Sequence, residues 1–341
     1  MLNRAIPEHP GAPWGLEVTG VVPVRGAWRL DCGERSFLLK PVRLSARERV
    51  FVAAALDYLT ERGYCTPRPV PTPDGKTVAR LGRRHYQLFA WQPGEEADYL
   101  VPGHAEAAAQ ALAGLHAAST GFRPPFPRHR VLHGTWPRRL ARRLQDLRRF
   151  AGEARAAAPA TPFAQEYARL APAWQRAAER ALAELAASPY RALAAAAARR
   201  GGLCHHDPAH HNVLLTAGGP VLVDFDYAVA DFGIHDLANL LRRVLRLTGW
   251  DAGRALAVVE AYRTAAPMGQ AEAAVLLPLL RFPEDAWMLG RQHFVERRAW
   301  PAERYLEALA RKSDTAPERD LCLASLARQL LAETKGGCRL A

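Results

Sequence analysis

His205, Asp207 and Asn212 stand in an H-x-D-x-x-x-x-N spacing within LCHHDPAHHNVLLTAGGPVLVDFDYAVA, residues 203–230. A short apolar run, Val213-Leu214-Leu215, follows the Asn, and Ala217-Gly218-Gly219-Pro220 reads as a turn. A second apolar run, Val221-Leu222-Val223, ends in Asp224-Phe225-Asp226. Phosphoryl transfer from a nucleotide uses groups in this order. One carboxylate accepts or orients the proton of an attacking hydroxyl, and an Asn and a second carboxylate hold magnesium on the phosphates. Two strands joined by a tight Gly turn are neighbours, so a hairpin brings Asp224 back beside Asn212. Each feature alone arises by chance in a chain of 341 residues. Their conjunction in a strand-turn-strand context is what points to a kinase.

The same stretch is dense in imidazole, with His205, His206, His210 and His211 beside Cys204 and Asp207. Zinc sites favour such residues, but no C-x-x-C or H-E-x-x-H partner occurs, and zinc leaves the apolar hairpin unexplained. His205 is expected to pack below the loop and bond to backbone. The roles of His210 and His211 stay open.

Elements on both sides must position this loop. Residues 17–24, 27–31 and 36–40 read as strands with turns at Arg25-Gly26 and at Cys32-Gly33-Glu34. Residues 45–62 read as a helix opened by the capping box Ser45-Ala46-Arg47-Glu48. Residues 67–73 form a Pro-rich connector, and 77–81 and 85–91 are two further strands. Gln92-Pro93-Gly94 breaks the pattern and marks a lobe boundary. Beyond it the apolar spacing is helical, over 105–119, 136–155, 163–187 and 190–200. After the hairpin it is helical again over 234–247, 252–265, 270–280, 283–298, 302–312 and 317–334. The expected fold is α+β and bilobal, protein-kinase-like: a small antiparallel β-sheet N-lobe with one helix, and a large, mainly helical C-lobe. Residues 1–92 would form the nucleotide-binding lobe and 93–341 the catalytic and substrate lobe, with nucleotide in the cleft between them.

Lys40 closes the strand 36–40 in a chain whose other lysines are only Lys76, Lys312 and Lys335. An ammonium point charge there suits a nucleotide phosphate, although lysines are also common on edge strands. Its acidic partner on the next helix would be Glu48 or Glu61. Glu48 is the preferred choice, even though a capping box already employs it. Phe89-Ala90-Trp91-Gln92 would supply hinge backbone to an adenine, so Trp91 joins the candidate nucleotide contacts. Val24-Arg25-Gly26-Ala27 has one glycine and lacks G-x-G-x-x-G, so it is a weak phosphate loop that a hairpin turn explains equally. Walker A is absent.

Composition narrows the classes. The net charge is +12, and of 46 basic residues all but four are Arg. The Arg-rich segment 138–149 places Leu140, Leu144 and Leu147 on one face, the spacing of an amphipathic helix with a solvated basic side. With no aromatic interleaving it argues for no specific nucleic acid. Five scattered cysteines (Cys32, Cys65, Cys204, Cys322, Cys338) fit reduced thiols. No apolar run approaches the ~20 residues of a membrane span. The N-terminus carries no secretory signal, so a cytoplasmic location is expected.

CHHDPAHHNVLL and VLVDFDYA, followed by DFGIHDLANLLRRV, resemble the aminoglycoside phosphotransferase and choline kinase fold. More narrowly, the chain resembles the CotS family of spore-coat-associated kinase-like proteins. FLLKPVRLSARERVFVAAALDYLTERGY, LAGLHAASTGF, TWPRRLARRLQDL and PEDAWMLGRQHFVERRAWPAERYLEAL carry that narrower likeness. The resemblance implies ATP and Mg2+ as cofactors. It implies Asp207 as catalytic base, Asn212 and Asp224 as metal ligands, Asp226 as a helper to the metal, Lys40 as a phosphate contact and Asp236 as a brace for the loop. It also implies mother-cell synthesis, then a place in the spore coat. The leading expectation is a phosphotransferase on a hydroxyl of a small molecule or coat component. The alternative is a kinase-like scaffold that binds spore-coat proteins. An antibiotic-modifying enzyme ranks third, because polycationic acceptors need an acidic pocket. Glu284, Asp285 and Glu296 on a late helix would be a local acidic patch, but a solvated helix face explains them.

Overall fold

The computed structural model describes residues 6–157, 161–314 and 316–332. Five antiparallel strands form the first sheet: β1 (Gly20–Val24), β2 (Ala27–Cys32), β3 (Arg35–Pro41), β4 (Ala79–Leu81) and β5 (Arg84–Ala90), in the order β1-β2-β3-β5-β4. Alternate residues point inward along β2, β3 and β5. Trp28 and Leu30, Phe37 and Leu39, and Tyr86 and Leu88 therefore meet Trp14 and Ala79 in a small core of their own. The β1–β2 connection is a two-residue turn, with Val24 opposite Ala27 and positive φ at Arg25 (45°) and Gly26 (82°). Those angles belong to the primed hairpin turn that matches strand twist.

Helix α1 (Ala46–Glu61) carries the expected capping box: Glu48 bonds the Ser45 backbone N–H at 2.9 Å and Ser45 Oγ caps the Glu48 N–H. Its buried face joins the large helical core rather than the small sheet core. Phe51 meets Phe122 edge-on at 5.7 Å, and the Tyr58 hydroxyl donates to the Thr120 carbonyl at 2.6 Å. The helix is thus held mainly from the helical side, and the strands of the first sheet lie across the cleft from it.

A second, three-stranded sheet has the order β6 (Glu95–Glu96), β7 (Val213–Thr216), β8 (Gly219–Leu222). Thr216 pairs with Gly219, so the turn needs only Ala217-Gly218 and the second strand starts two residues earlier than expected. Pro220 costs no ladder bond there because β8 is an edge strand.

The rest is helical: α2 (His104–Ala118), α3 (Trp136–Ala156), α4 (Pro162–Ala187), α5 (Tyr190–Arg200), α6 (Ile234–Leu247), α7 (Ala252–Arg263), α8 (Gln270–Arg281), α9 (Glu284–Gly290), α10 (Ala302–Asp314) and α11 (Ala316–Ala332). The expected single helix over 283–298 is corrected: α9 ends at Gly290 and a π-helical turn covers Arg291–Val295. A π turn accommodates an extra residue. Here it lays Phe294 on Phe150 at 5.6 Å and His293 on Phe163 at 4.1 Å. The expected end of the last helix at Thr334 lies outside the described residues. No helix among them is long and apolar enough to cross a membrane.

Candidate active site

Residues 205–212 leave the bridge between Cys204 and Val229 and re-enter the second sheet at Val213. Asp236, fully buried in the first turn of α6, holds the start of this loop. Its carboxylate accepts the backbone N–H of His205 at 2.6 Å and of His206 at 2.7 Å. Its Oδ2 also lies 3.1 Å from His116 Nε2, whose other nitrogen is 2.7 Å from the Tyr262 hydroxyl. Burial pushes the Asp236 carboxyl up, but the hydrogen bond and charge of His116 overcome that and leave it below its ordinary range. His205 packs under the loop as expected, with its ring 4.7 Å from Phe225 and Nε2 2.9 Å from the Val223 carbonyl.

The chemistry-bearing residues converge on the strand ends. Asn212 Nδ2 donates to the Asp207 carbonyl at 3.0 Å and to Asp207 Oδ2 at 3.2 Å. Asp224 follows β8 with φ +65° and ψ +70°, left-handed backbone that a non-glycine residue rarely adopts. Lys40 reaches across from β3, with Nζ 2.8 Å from Asp224 Oδ1 and 2.7 Å from Asp226 Oδ1. Partial burial raises the Asp224 carboxyl, and the charge and hydrogen bond of Lys40 more than reverse this, so it sits below the usual range.

The expected Lys40–Glu48 pairing is corrected here. Lys40 is paired with the two aspartates, and Glu61 is exposed at the end of α1. Glu48 instead serves Ser45 and Arg130, its Oε1 lying 3.1 Å from the Arg130 guanidinium. The Ser45 backbone and hydroxyl, then Arg130, hold the Glu48 carboxyl down at about 2. Arg130 also donates to the carbonyls of Asp226 (2.7 Å) and Ala228 (2.9 Å). Glu48 therefore reaches the metal-ligand candidates through Arg130 instead of through Lys40.

A cavity of about 530 Å³ lies between the two sheets, within the size range of small-molecule sites. Lys40, Glu48, Trp91, Asn212, Asp224 and Asp226 all line it. Leu38, Val52, Phe89, Leu214 and Val223 give it apolar walls. The β1–β2 turn forms one rim, and the Arg25 guanidinium spans to the Glu96 carboxylate on β6, with Nε 2.9 Å from Oε1. His211 lines the cavity near this pair, while Asp207 is absent from the lining and faces α6. There Arg243 lies 2.5 Å from Asp207 Oδ1.

The donor set suits magnesium better than zinc. Asn212, Asp224 and Asp226 offer hard oxygens at one wall of a cavity large enough for phosphates. The loop imidazoles diverge: His205 turns inward, His206 lies 6.1 Å from Trp136, and His210 meets Tyr99 edge-on at 6.3 Å. Burial first, then the guanidinium groups of Arg139, Arg143 and Arg242, hold His206 below its ordinary pKa against the pull of Asp236. Among the described residues, His116, Cys204 and Asp236 do bring three metal-type donors within 4.8 Å. Both His116 nitrogens and both Asp236 oxygens are already engaged, and burial drives the Cys204 thiol well up.

Arg130, Glu96 and Arg243 are not legible in the sequence. Arg130 sits in an irregular Pro-rich loop, Glu96 in a strand of two residues, and Arg243 in a helix whose spacing does not say what its arginines meet. The acidic patch is matched by arginines: Glu284 by Arg143, Asp285 by Arg246, and Glu296 by Arg291 and Arg298.

Known proteins resemble this chain in sequence and in fold. A profile of the phosphotransferase enzyme family APH matches residues 25–274. The chain belongs to that family. It is 24% identical to spore coat protein S of Bacillus subtilis over 89% of this chain and 87% of that protein. It is 26% identical to a homoserine kinase of Methylobacterium over 73% of this chain and 70% of that enzyme. An aminoglycoside phosphotransferase from Alicyclobacillus acidocaldarius superposes with TM-score 0.83 at 25% identity, covering 97% of this chain and 98% of that one. A spectinomycin phosphotransferase crystallised with ADP and spectinomycin shares the fold, with TM-score 0.65 at 12% identity over 93% of this chain and 96% of that one.

Proposed function

We propose that this protein is an ATP- and magnesium-dependent phosphotransferase that phosphorylates a hydroxyl of a small molecule or coat component in the forming spore coat. The observation that carries this reading is the convergence of Lys40, Asn212, Asp224 and Asp226 on one wall of a nucleotide-sized cavity, with Asp207 just behind it. Residues 1–92 act as the nucleotide-binding unit and residues 93–341 as the catalytic and acceptor unit. Trp91 and the segment before it border the adenine, and Lys40 holds phosphate oxygens. Asn212, Asp224 and Asp226 would hold magnesium, which neutralises charge on the phosphates when bound.

Asp207 orients the acceptor hydroxyl and takes its proton as the new O–P bond forms and the bond to the departing ADP oxygen breaks. Asn212 fixes Asp207 from below, and Asp236 holds the loop that carries it. The likeness to spore coat protein S supports synthesis in the mother-cell cytoplasm followed by a place in the coat. The homoserine kinases among its relatives support a small hydroxyl compound as acceptor.

The test is release of ADP from Mg-ATP by purified protein against a panel of hydroxyl compounds and isolated coat extract. Release that depends on magnesium and on one class of acceptor supports the reading. A protein that binds Mg-ATP yet turns over nothing in coat extract would return the assignment to a kinase-like scaffold.

A further inference from the structure

The wall of the nucleotide cavity carries Asn212 and Asp224 but not Asp207. Asp207 opens instead toward α6, so an acceptor hydroxyl must approach it from that side. The group waiting there is a guanidinium: Arg243 lies 2.5 Å from Asp207 Oδ1.

Arginines crowd this approach, and Arg139, Arg143 and Arg242 all act on His206 beside Asp207. The carboxylates of α9 are already matched, Glu284 with Arg143 at 2.5 Å and Asp285 with Arg246 at 2.9 Å. Among the described residues neither Arg139 nor Arg242 has a carboxylate partner. Arg242 bonds Asn239 and the Leu279 carbonyl, and Arg139 lies over the Trp136 ring at 5.3 Å with its Nε buried and without a hydrogen-bond partner. Trp136 is 6.1 Å from the ring of His206, the neighbour of Asp207. A cationic acceptor meets repulsion here. A carboxylate or phosphate meets a planar fork of donors that binds two oxygens at once.

We propose that the acceptor carries a carboxylate or phosphate group close to its hydroxyl, and that Arg243 binds it with Arg139 adding attraction. Arg243 then has two partners in turn. It shields Asp207 while the acceptor site is empty, and it passes to the anionic group when the hydroxyl takes its place beside Asp207. This rests on the phosphotransferase reading above.

Thermal-shift titrations test it with three probes of one skeleton: D-glycerate, glycerol 3-phosphate and glycerol. Each is added to the full chain at millimolar concentration, with and without Mg-ATP. The variants are Arg243→Ala, Arg243→Lys and Arg169→Ala, the last an exposed arginine on α4 that serves as control. A probe near tenfold above its Kd raises Tm by about 2–4 °C. The expected result is such a rise for one or both anions and none for glycerol, retained in Arg169→Ala and lost in Arg243→Ala. The larger response, to glycerate or to glycerol 3-phosphate, says which anion the site takes. If Arg243→Ala fails to fold, Arg243→Lys decides, because it keeps the charge and loses the fork: at least half of the rise should disappear. No rise with either anion, an equal rise in the wild type and the Arg243 variants, or a rise with glycerol overturns the proposal. The Mg-ATP arm is read separately. Its failure counts against the phosphotransferase reading, while the anion site stands or falls on the other arms.

Discussion

Two carboxylates after β8, Asp224 and Asp226, share one lysine, with both contacts below 3 Å. Lys40 lets two like charges sit side by side. Lys40→Ala removes that compensation and the proposed phosphate contact together. The expected outcome is a loss of at least about tenfold in Mg-ATP affinity, since charge-assisted bonds contribute roughly 1.5–3 kcal/mol; isothermal titration reads it. Asp207 is a separate case because it does not line the cavity between the two sheets. Asp207→Asn should leave Mg-ATP affinity unchanged and cut turnover by about 10²–10⁴-fold, the usual contribution of a positioned proton acceptor. Unchanged turnover in steady-state ADP release removes Asp207 from the chemistry. Asp207, Asn212 and Asp224 were readable as candidates because they lie in fixed local spacings, and Lys40 because lysine is rare in this chain and this one closes a strand. The true partners of Lys40 were not, because they lie 184 and 186 positions away, and a charge on a helix looks like a partner until the fold decides.

The element that sets the site is the N-terminal turn of α6. Asp236→Ala would strand two buried N–H groups and His116 at once. Breaking such a buried network costs about 3–5 kcal/mol, which urea denaturation should show as a lowered midpoint. Asp231, just before α6, gives a pH signature. Burial raises its carboxyl to about 7, against the pull of Trp136 Nε1–H at 2.7 Å and of the Phe232 N–H. Folding must therefore protonate Asp231 between the ordinary value of 3.8 and about 7. That contribution is present at low pH and fades as pH rises through this window. Asp231→Asn keeps an acceptor for Trp136 and needs no proton. Its Tm relative to wild type should rise from pH 4 to pH 7 and then level off, and a difference independent of pH would contradict the raised carboxyl. Helix boundaries were mostly legible from caps and period, as with the Ser45 box and the span of α6. The strand Glu95–Glu96 was not, being only two residues long beside a Pro-Gly break. The π turn after Gly290 was not either, because aromatic packing from α3 and α4 shapes it.

At the scale of the molecule, the bilobal plan was legible from a switch in period near Gln92. The contribution of α1 to the large core was hidden, since an amphipathic helix does not announce which neighbour it will cover. That packing has a consequence for the site. Glu48 and Arg130 tie the start of α1 to the backbone of the Asp226–Ala228 segment, so the metal-ligand candidates are fixed from the helical side. Lys40 and the Arg25 rim approach from the sheet. Nucleotide held between them would grip both sides of the cleft and stabilise the whole fold by mass action. The measurement to make is therefore the thermal shift of the full chain with ATP, with and without magnesium, in wild type and Asp224→Ala. A working nucleotide site should raise Tm only when magnesium is present, and Asp224→Ala should lose the rise. No rise at millimolar ATP, or an equal rise in the variant, would contradict such a site.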